Sequence, residues 1–154
     1  MLIRSPLDLS CPIRLLPVLA LVLILLSSSQ DSHGQSYQKR VDAATQAVEQ
    51  WFEHLDADDY AATWTQASSL FKSKVTKDQW IQQLKTTHQD IDSLQSRSLV
   101  GARYKTKPPR GPEGKYVITQ YRTQYGSQTK IETVTMKKDS SAWRMAGYFI
   151  KPAP

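Results

Sequence analysis

The spacing at which apolar residues recur along this chain changes near residue 93, and that change limits the folds that the chain can adopt. Before it, apolar residues recur at helical spacing from about Tyr37 to Leu55. After it, several segments rich in tyrosine, valine, isoleucine and threonine are separated by polar turns, a composition typical of strands. Helices followed by strands that lie close in sequence predict an α+β fold with an antiparallel sheet.

Two further helices are predicted between residues 58 and 91. Asp58 or Asp59 can accept hydrogen bonds from the first turn of a second helix, and a carboxylate there suits the positive end of the helix dipole. Thr76 and Gln79 form a capping-box pattern at the start of a third helix. The apolar face of the second helix is predicted to carry four residues at helical spacing: Tyr60, Trp64, Ala67 and Phe71.

The strand half is predicted to form a sheet of about four strands. Short polar turns join the later strands, so neighbours along the chain should pair as an antiparallel meander. The stretch 107–114 contains three prolines and two glycines, which places it in a loop outside the sheet. The predicted strands lie at 97–106, 115–125, 131–137 and 143–150.

Alternation in the last strand predicts which of its side chains share a face. It places Trp143, Met145 and Phe149 on one face and Tyr148 and Ile150 on the other. Because both faces carry aromatic residues, one is expected to pack under the helices and the other to meet a second contact, such as a dimer partner. The arrangement is analogous to the cone-shaped NTF2-like or cystatin-like class, in which helices cover the concave side of a curved sheet.

Two long stretches of the sequence carry a family resemblance. They are WFEHLDADDYAATWTQASSLFKSKVTKDQW (51–80) and ETVTMKKDSSAWRMAGYFI (132–150), with Gly114-Lys115-Tyr116 between them at the end of the proline-rich loop. These stretches resemble the exported bacterial family known as domain of unknown function 4019. The sequence departs from the family pattern at His88, where an arginine is expected. The resemblance implies a single periplasmic or secreted domain with no established activity.

The first 34 residues are predicted to be a cleaved signal peptide. Arg4 and Arg14 supply positive charge before an apolar run at 15–26. As a helix this run would be roughly 18 Å long, well short of the roughly 30 Å core of a bilayer. Small residues then favour cleavage near 29 or 34, and an uncleaved membrane anchor is the alternative. We therefore expect a periplasmic or secreted protein with a single domain at 35–154.

The position of the one cysteine restricts the chemistry of the mature domain. Cys11 lies before the apolar run rather than at its end, which argues against a lipoprotein. Cleavage would remove it, so the mature domain is expected to have no disulfide, thiolate metal site or cysteine nucleophile. The sequence shows neither a phosphate-binding glycine loop nor a dinucleotide-binding fingerprint, and no cofactor is predicted.

Charge is divided unevenly between the two halves of the predicted domain. Residues 35–92 carry six basic and nine acidic side chains, whereas residues 93–154 carry twelve basic and three acidic ones, a net charge of +9. The basic half can attract an anionic partner, with a patch at Lys105, Lys107 and Arg110. It can equally be a solvated sheet face whose cations blunt the strand edges. Strand tyrosines could stack on bases, but the export signal argues against a nucleic-acid partner.

The side chains capable of catalysis do not form a recognisable motif. Glu132 is the only acid placed on a sheet face; it is expected either to act as a general base or to pair across the sheet with Lys130 or Arg122. We therefore predict that the protein is not an enzyme and binds no metal. Four residues of metal-binding type lie close together but lack the spacing of a known metal motif: Glu53, His54, Asp56 and Asp58.

Two functions follow from these features. The first is a non-catalytic exported domain that binds a cell-envelope partner, either a protein or an anionic component. The alternative is a small-molecule-binding protein with a pocket beneath the helices, or an isomerase-like or hydratase-like enzyme. A homodimer formed through the sheet is a further expected partner. The candidate binding residues are Trp51, Tyr60, Trp64, Arg103, Tyr121, Glu132 and Tyr148.

Overall fold

Within the part of the chain that the structure describes, four helices precede four strands. The order of helices and then strands is as the change of period predicts, but three helices were expected and α3 is an additional one. The computed structural model describes residues 31–108 and 111–154, so the segment 1–30 and Arg110 lie outside the described residues. Among the residues it describes, no helix is long and apolar enough to cross a membrane. The elements are α1 (Asp31–Asp56), α2 (Tyr60–Thr65), α3 (Ser69–Lys72), α4 (Lys77–His88), β1 (Leu94–Lys105), β2 (Tyr116–Tyr125), β3 (Gln128–Asp139) and β4 (Ala142–Pro152).

The long helix α1 places one apolar stripe against the sheet. The indole of Trp51 lies 5.3 Å from the ring of Tyr148, and Phe52 meets Tyr121 edge to face at 5.1 Å. These contacts bury the aromatic side chains of the helix within the hydrophobic core. The residues at helical spacing in the stripe are all buried: Val41, Ala44, Val48, Trp51 and Leu55.

The break between α1 and α2 is formed by two aspartates with different tasks. Asp59 is the cap of α2, because its Oδ1 accepts a hydrogen bond from the backbone N–H of Ala62 at 3.0 Å. Asp58 adopts φ 57°, a left-handed conformation that aspartate tolerates at a tight turn. Its carboxylate also accepts a hydrogen bond of 2.6 Å from the hydroxyl of Tyr60.

The expectation that Tyr60 to Phe71 form one continuous helix is wrong. Helix α2 ends at Thr65, and Ala67 forms an isolated bridge to Met145 of β4. The N–H of Ser68 donates to the carbonyl of Met145 at 2.7 Å, so it is not available for a continuing helix. The hydroxyl of Ser68 then caps the short helix α3.

Helix α4 begins with the predicted capping box. The N–H of Gln79 donates to Oγ1 of Thr76 at 3.3 Å, and the N–H of Thr76 donates to Oε1 of Gln79 at 3.0 Å. One turn later Trp80 is buried, and its Nε1 donates to Oγ1 of Thr63 at 2.9 Å. The capping box and this indole hydrogen bond together fix α4 against α2.

The four strands form an antiparallel sheet in the order β1-β2-β3-β4, which confirms the predicted meander. The inner face packs against the helices, and its paired side chains include Tyr121 with Glu132 and Val134 with Tyr148. The opposite face is here called the outer face. One row across it joins all four strands through successive pairs: Arg103, Ile118, Thr135 and Gly147.

The predicted faces of β4 are corrected by a bulge. Thr135 pairs with Gly147 but Met136 pairs with Met145, so one extra residue interrupts the alternation at this point. As a result Met145 and Tyr148 are both buried. Phe149, predicted to share the face of Met145, is instead 69% exposed on the outer face.

Candidate functional site

The inner face of the sheet holds a buried polar cluster centred on Glu132, here called the inner polar cluster. Glu132 has no exposed surface, and its Oε2 accepts a hydrogen bond of 2.9 Å from Nε of Arg97. Its Oε1 accepts from the hydroxyls of Tyr148 at 2.7 Å and Tyr125 at 3.1 Å. The hydroxyl of Thr123 also donates to Oε2. Four donors therefore surround one buried carboxylate, as its burial requires.

Arg97 connects this cluster to the end of α1. Its Nη1 and Nη2 donate to the two carboxylate oxygens of Asp56 at 2.6 and 2.8 Å, a bidentate ion pair. Its guanidinium lies 3.8 Å above the ring of Phe52. Burial disfavours the charged guanidinium, but the hydrogen bonds and charges of Asp56 and Glu132 prevail and raise the pKa of Arg97. The cluster thus ties the helix layer to the sheet.

The tyrosines of the inner polar cluster are held in their neutral, donating form. Burial first, and then the charge of Glu132, raises the pKa of Tyr148 well above its ordinary value. The same two causes, opposed by Arg97, raise the pKa of Tyr125. Because both hydroxyls stay protonated, they stabilise the carboxylate instead of competing with its charge.

His88 lies at the margin of the inner polar cluster. Its ring stacks with that of Tyr148 at 6.2 Å between centroids and is 6.1 Å from that of Tyr60. Burial lowers the pKa of His88, although Glu132, Asp58 and Asp56 oppose this shift. The imidazole is therefore neutral at physiological pH.

Most of the predicted binding residues come together on the helix side of the sheet, but as packed core. Trp51, Tyr121 and Glu132 are each at most 3% exposed, and Tyr148 packs against Trp51. Tyr60 is also buried, next to His88. These contacts fill the space in which a pocket beneath the helices was expected, and every donor around Glu132 is already engaged.

Two of the predicted binding residues lie elsewhere. Trp64 is partly buried, and its Nε1 donates to the carbonyl of Val75 at 2.9 Å. Arg103 pairs with Ile118 in the outer row and is exposed, so the expectation that it faces a pocket beneath the helices is corrected. Lys105 and Lys107 are exposed near it.

The acidic stretch at the end of α1 has other uses than metal binding. Asp56 binds Arg97, Asp58 binds Tyr60, and Nε2 of His54 lies 2.6 Å from Nε2 of Gln66. Within the part of the chain that the structure describes, no group of three or more metal-binding side chains is brought together.

A groove with basic residues crosses the outer face at β1 and β2, and is here called the basic groove. Its volume is about 500 Å³. Val100, which is exposed, and Ile118, which is half-buried in the outer row, give the groove apolar surface beside its cations. Lys107 has a distant ion pair with Glu113 at 3.6 Å, between two largely exposed side chains. The lining residues are Val100, Gly101, Arg103, Lys105, Lys107, Ile118 and Gln120.

A second groove, here called the apolar groove, lies beside β4 and has a volume of about 620 Å³. Its lining residues come from α3, α4 and the turn between them, and also include Pro108, Gly111 and Tyr116. Lys74 and Gln83 are its only charged or amide side chains among the described residues. The lining residues that the argument below uses are Phe71, Trp80, Ile118, Thr135, Gly147 and Phe149.

Sequence reasoning found Glu132 but missed its partners. Arg97, Thr123 and Tyr125 all reach it, whereas Lys130 and Arg122 were the expected pairs. Arg122 pairs with Ile131 and is exposed on the outer face. The one available signal was that Glu132 is the only acid on a predicted sheet face in a half rich in cations, and a carboxylate that is buried there is strongly destabilising unless it is paired.

These features define an α+β domain with a closed polar interior and an open, grooved outer face. The chain belongs to the family described as Protein of unknown function (DUF4019), whose model matches residues 47–148, more than half of the chain. The family resemblance of the two sequence stretches is thereby confirmed. Comparison with curated proteins and with solved structures gave no match.

Proposed function

We propose that this protein is an exported, non-catalytic domain that binds an anionic component of the cell envelope through the basic groove. The observation that supports this proposal is that the side chains of Arg103 and Lys105 are exposed and, among the described residues, not neutralised. Both are exposed on the outer face, and neither has an acidic partner among the described residues. They belong to a half of the sequence with a net charge of +9, which attracts anions over a distance.

Binding rather than catalysis is supported by the closure of the inner polar cluster. Glu132 is the one acid on the inner face of the sheet, and four protein donors already occupy its oxygens. A general base must reach the proton that it removes, and this carboxylate has no exposed surface. The proposal includes the NTF2-like arrangement, since α1 packs on the inner face of the sheet through Trp51 and Phe52 while Arg103 and Lys105 stay exposed on the outer face.

The test is binding to lipid vesicles that contain an anionic phospholipid, with vesicles of zwitterionic phospholipid as the reference. The double variant Arg103→Glu and Lys105→Glu should bind at least tenfold more weakly. Raising the salt concentration should weaken the wild type, because the Debye length is about 10 Å at 0.1 M ionic strength.

A matched control separates the groove from net charge. Lys77 and Lys85 are exposed on α4, on the helix side of the molecule, and Lys77→Glu with Lys85→Glu makes the same change of charge. The control should retain nearly all of the wild-type affinity. Equal losses in both double variants would show that only the total charge matters, and absence of binding by the wild type would reject the proposed function.

A further inference from the structure

The basic groove and the apolar groove are two ends of one surface. Ile118 lines both of them, and the outer row runs from Arg103 through Ile118 and Thr135 to Gly147. These four residues lie on four successive strands, so the row spans three strand spacings, roughly 14 Å. A single ligand can therefore contact cations at β1 and apolar side chains at β4.

The apolar end has both the lining and the open floor that a hydrocarbon chain needs. Phe71 is partly exposed in the wall and packs edge to face on the buried Trp80 at 5.0 Å, and Phe149 of β4, which also lines the groove, is 69% exposed. The floor is Gly147, where an added Cβ would lie 3.8 Å from the ring of Phe149 and 3.9 Å from Thr135. Any longer side chain at this position would extend into the groove.

We propose that the ligand is an anionic amphiphile whose charged head lies in the basic groove and whose acyl chain lies in the apolar groove. This inference rests on the proposed function and adds the chemical class of the ligand. Arg103 and Lys105 select a phosphate or carboxylate head by charge. The exposed aromatic surface at β4 gains from being covered by a chain and not by water.

The test compares three probes by calorimetry, each below its micelle concentration: dodecyl phosphate, inorganic phosphate and dodecyl maltoside. Dodecyl phosphate should bind at least a hundredfold more tightly than inorganic phosphate, since each buried methylene contributes up to about fourfold. It should also bind more tightly than dodecyl maltoside, which has the same chain and no charge. Decyl phosphate should fall between inorganic phosphate and dodecyl phosphate on the unmodified protein, a measurement that needs no variant.

Variants then assign each part of the probe to its groove. Gly147→Ile fills the floor of the apolar groove and should weaken dodecyl phosphate at least tenfold while leaving inorganic phosphate unchanged. Ser98→Ile adds the same side chain to the outer face at a position that lines neither groove, and it should leave both affinities unchanged. Arg103→Glu should weaken both phosphate probes.

The outcomes separate this inference from the proposed function. If dodecyl phosphate binds no more tightly than inorganic phosphate, the protein has no site for the acyl chain and only the anion-binding function stands. If dodecyl maltoside matches dodecyl phosphate, the charged head is not recognised and both ideas are overturned. If Gly147→Ile and Ser98→Ile weaken dodecyl phosphate equally, the apolar groove is not where the chain lies.

Discussion

Glu132 is the residue on which the inner face of the sheet depends. A carboxylate with no exposed surface is unfavourable unless several donors compensate for the lost water, and this one has four. Its position as the only acid on a predicted sheet face could be read from the sequence. Its partner Arg97 could not, because Arg97 is 35 residues away and reaches Glu132 only in one particular strand register.

Two tyrosines of the inner face should differ in how much stability they lose when they are changed to phenylalanine. Tyr148→Phe removes a donor to a buried carboxylate and should lower the free energy of unfolding by about 1.5–3 kcal/mol. Tyr121→Phe removes a buried hydroxyl that has no hydrogen-bond partner among the described residues, so its cost should be roughly zero. Urea denaturation measures both. Equal losses would show that the inner polar cluster does not depend on this hydroxyl.

His88 should make stability depend on pH in a known direction. Its pKa is lowered by burial in the folded protein, against an unfolded value of about 6.5. The unfolded chain therefore takes up a proton first as the pH falls, and stability is lost as the pH decreases through about 6.5. His88→Gln removes this component, so its stability relative to the wild type should increase between pH 7.5 and pH 5. A constant difference between the two proteins across this window would contradict the prediction.

At the scale of elements, a helix start that depends on residues close in sequence was predictable. A helix end or a strand face that depends on pairing with a distant strand was not. The capping box of Thr76 needs only residues three apart, and it starts α4 where expected. The end of α2 instead depends on Ser68 donating to Met145, which is distant in sequence. The bulge in β4 is likewise a property of pairing with β3, so alternation alone assigned Phe149 to the wrong face.

The contribution of the capping box of α4 to the free energy of unfolding can be measured directly. Thr76→Ala removes the hydroxyl that accepts from Gln79 and should cost about 1 kcal/mol of unfolding free energy. Thr86→Ala is the matched control in the same helix: its hydroxyl donates to the carbonyl of Gln82, and alanine is the better helix former. The control should change stability by less than about 0.5 kcal/mol. Equal midpoints for the two variants in urea would contradict the assigned cap.

At the scale of the whole molecule, charge follows the layers of the fold. The helical half is net acidic and the strand half net basic, and the exposed outer face carries Arg103, Lys105 and Arg122. The sequence predicted this imbalance but not the side of the sheet on which the cations lie. The strand register and the packing of the helices decide on which side of the sheet a residue lies. In this protein they place these cations on the side away from the helices.

The location of the protein is the last prediction, and it rests on the apolar run at 15–26, outside the described residues. We expect mass spectrometry of an envelope fraction to find a mature N-terminus near residue 30 or 35. Leu21→Arg places a charge in the run at a cost of roughly 2.5–3.5 kcal/mol and should block export. Leu7→Arg adds the same charge before the run, where positive residues are compatible with a signal peptide, and should not. Recovery of the wild-type chain intact from Met1 in the cytosol would overturn export, and with it any role for the outer face in the envelope.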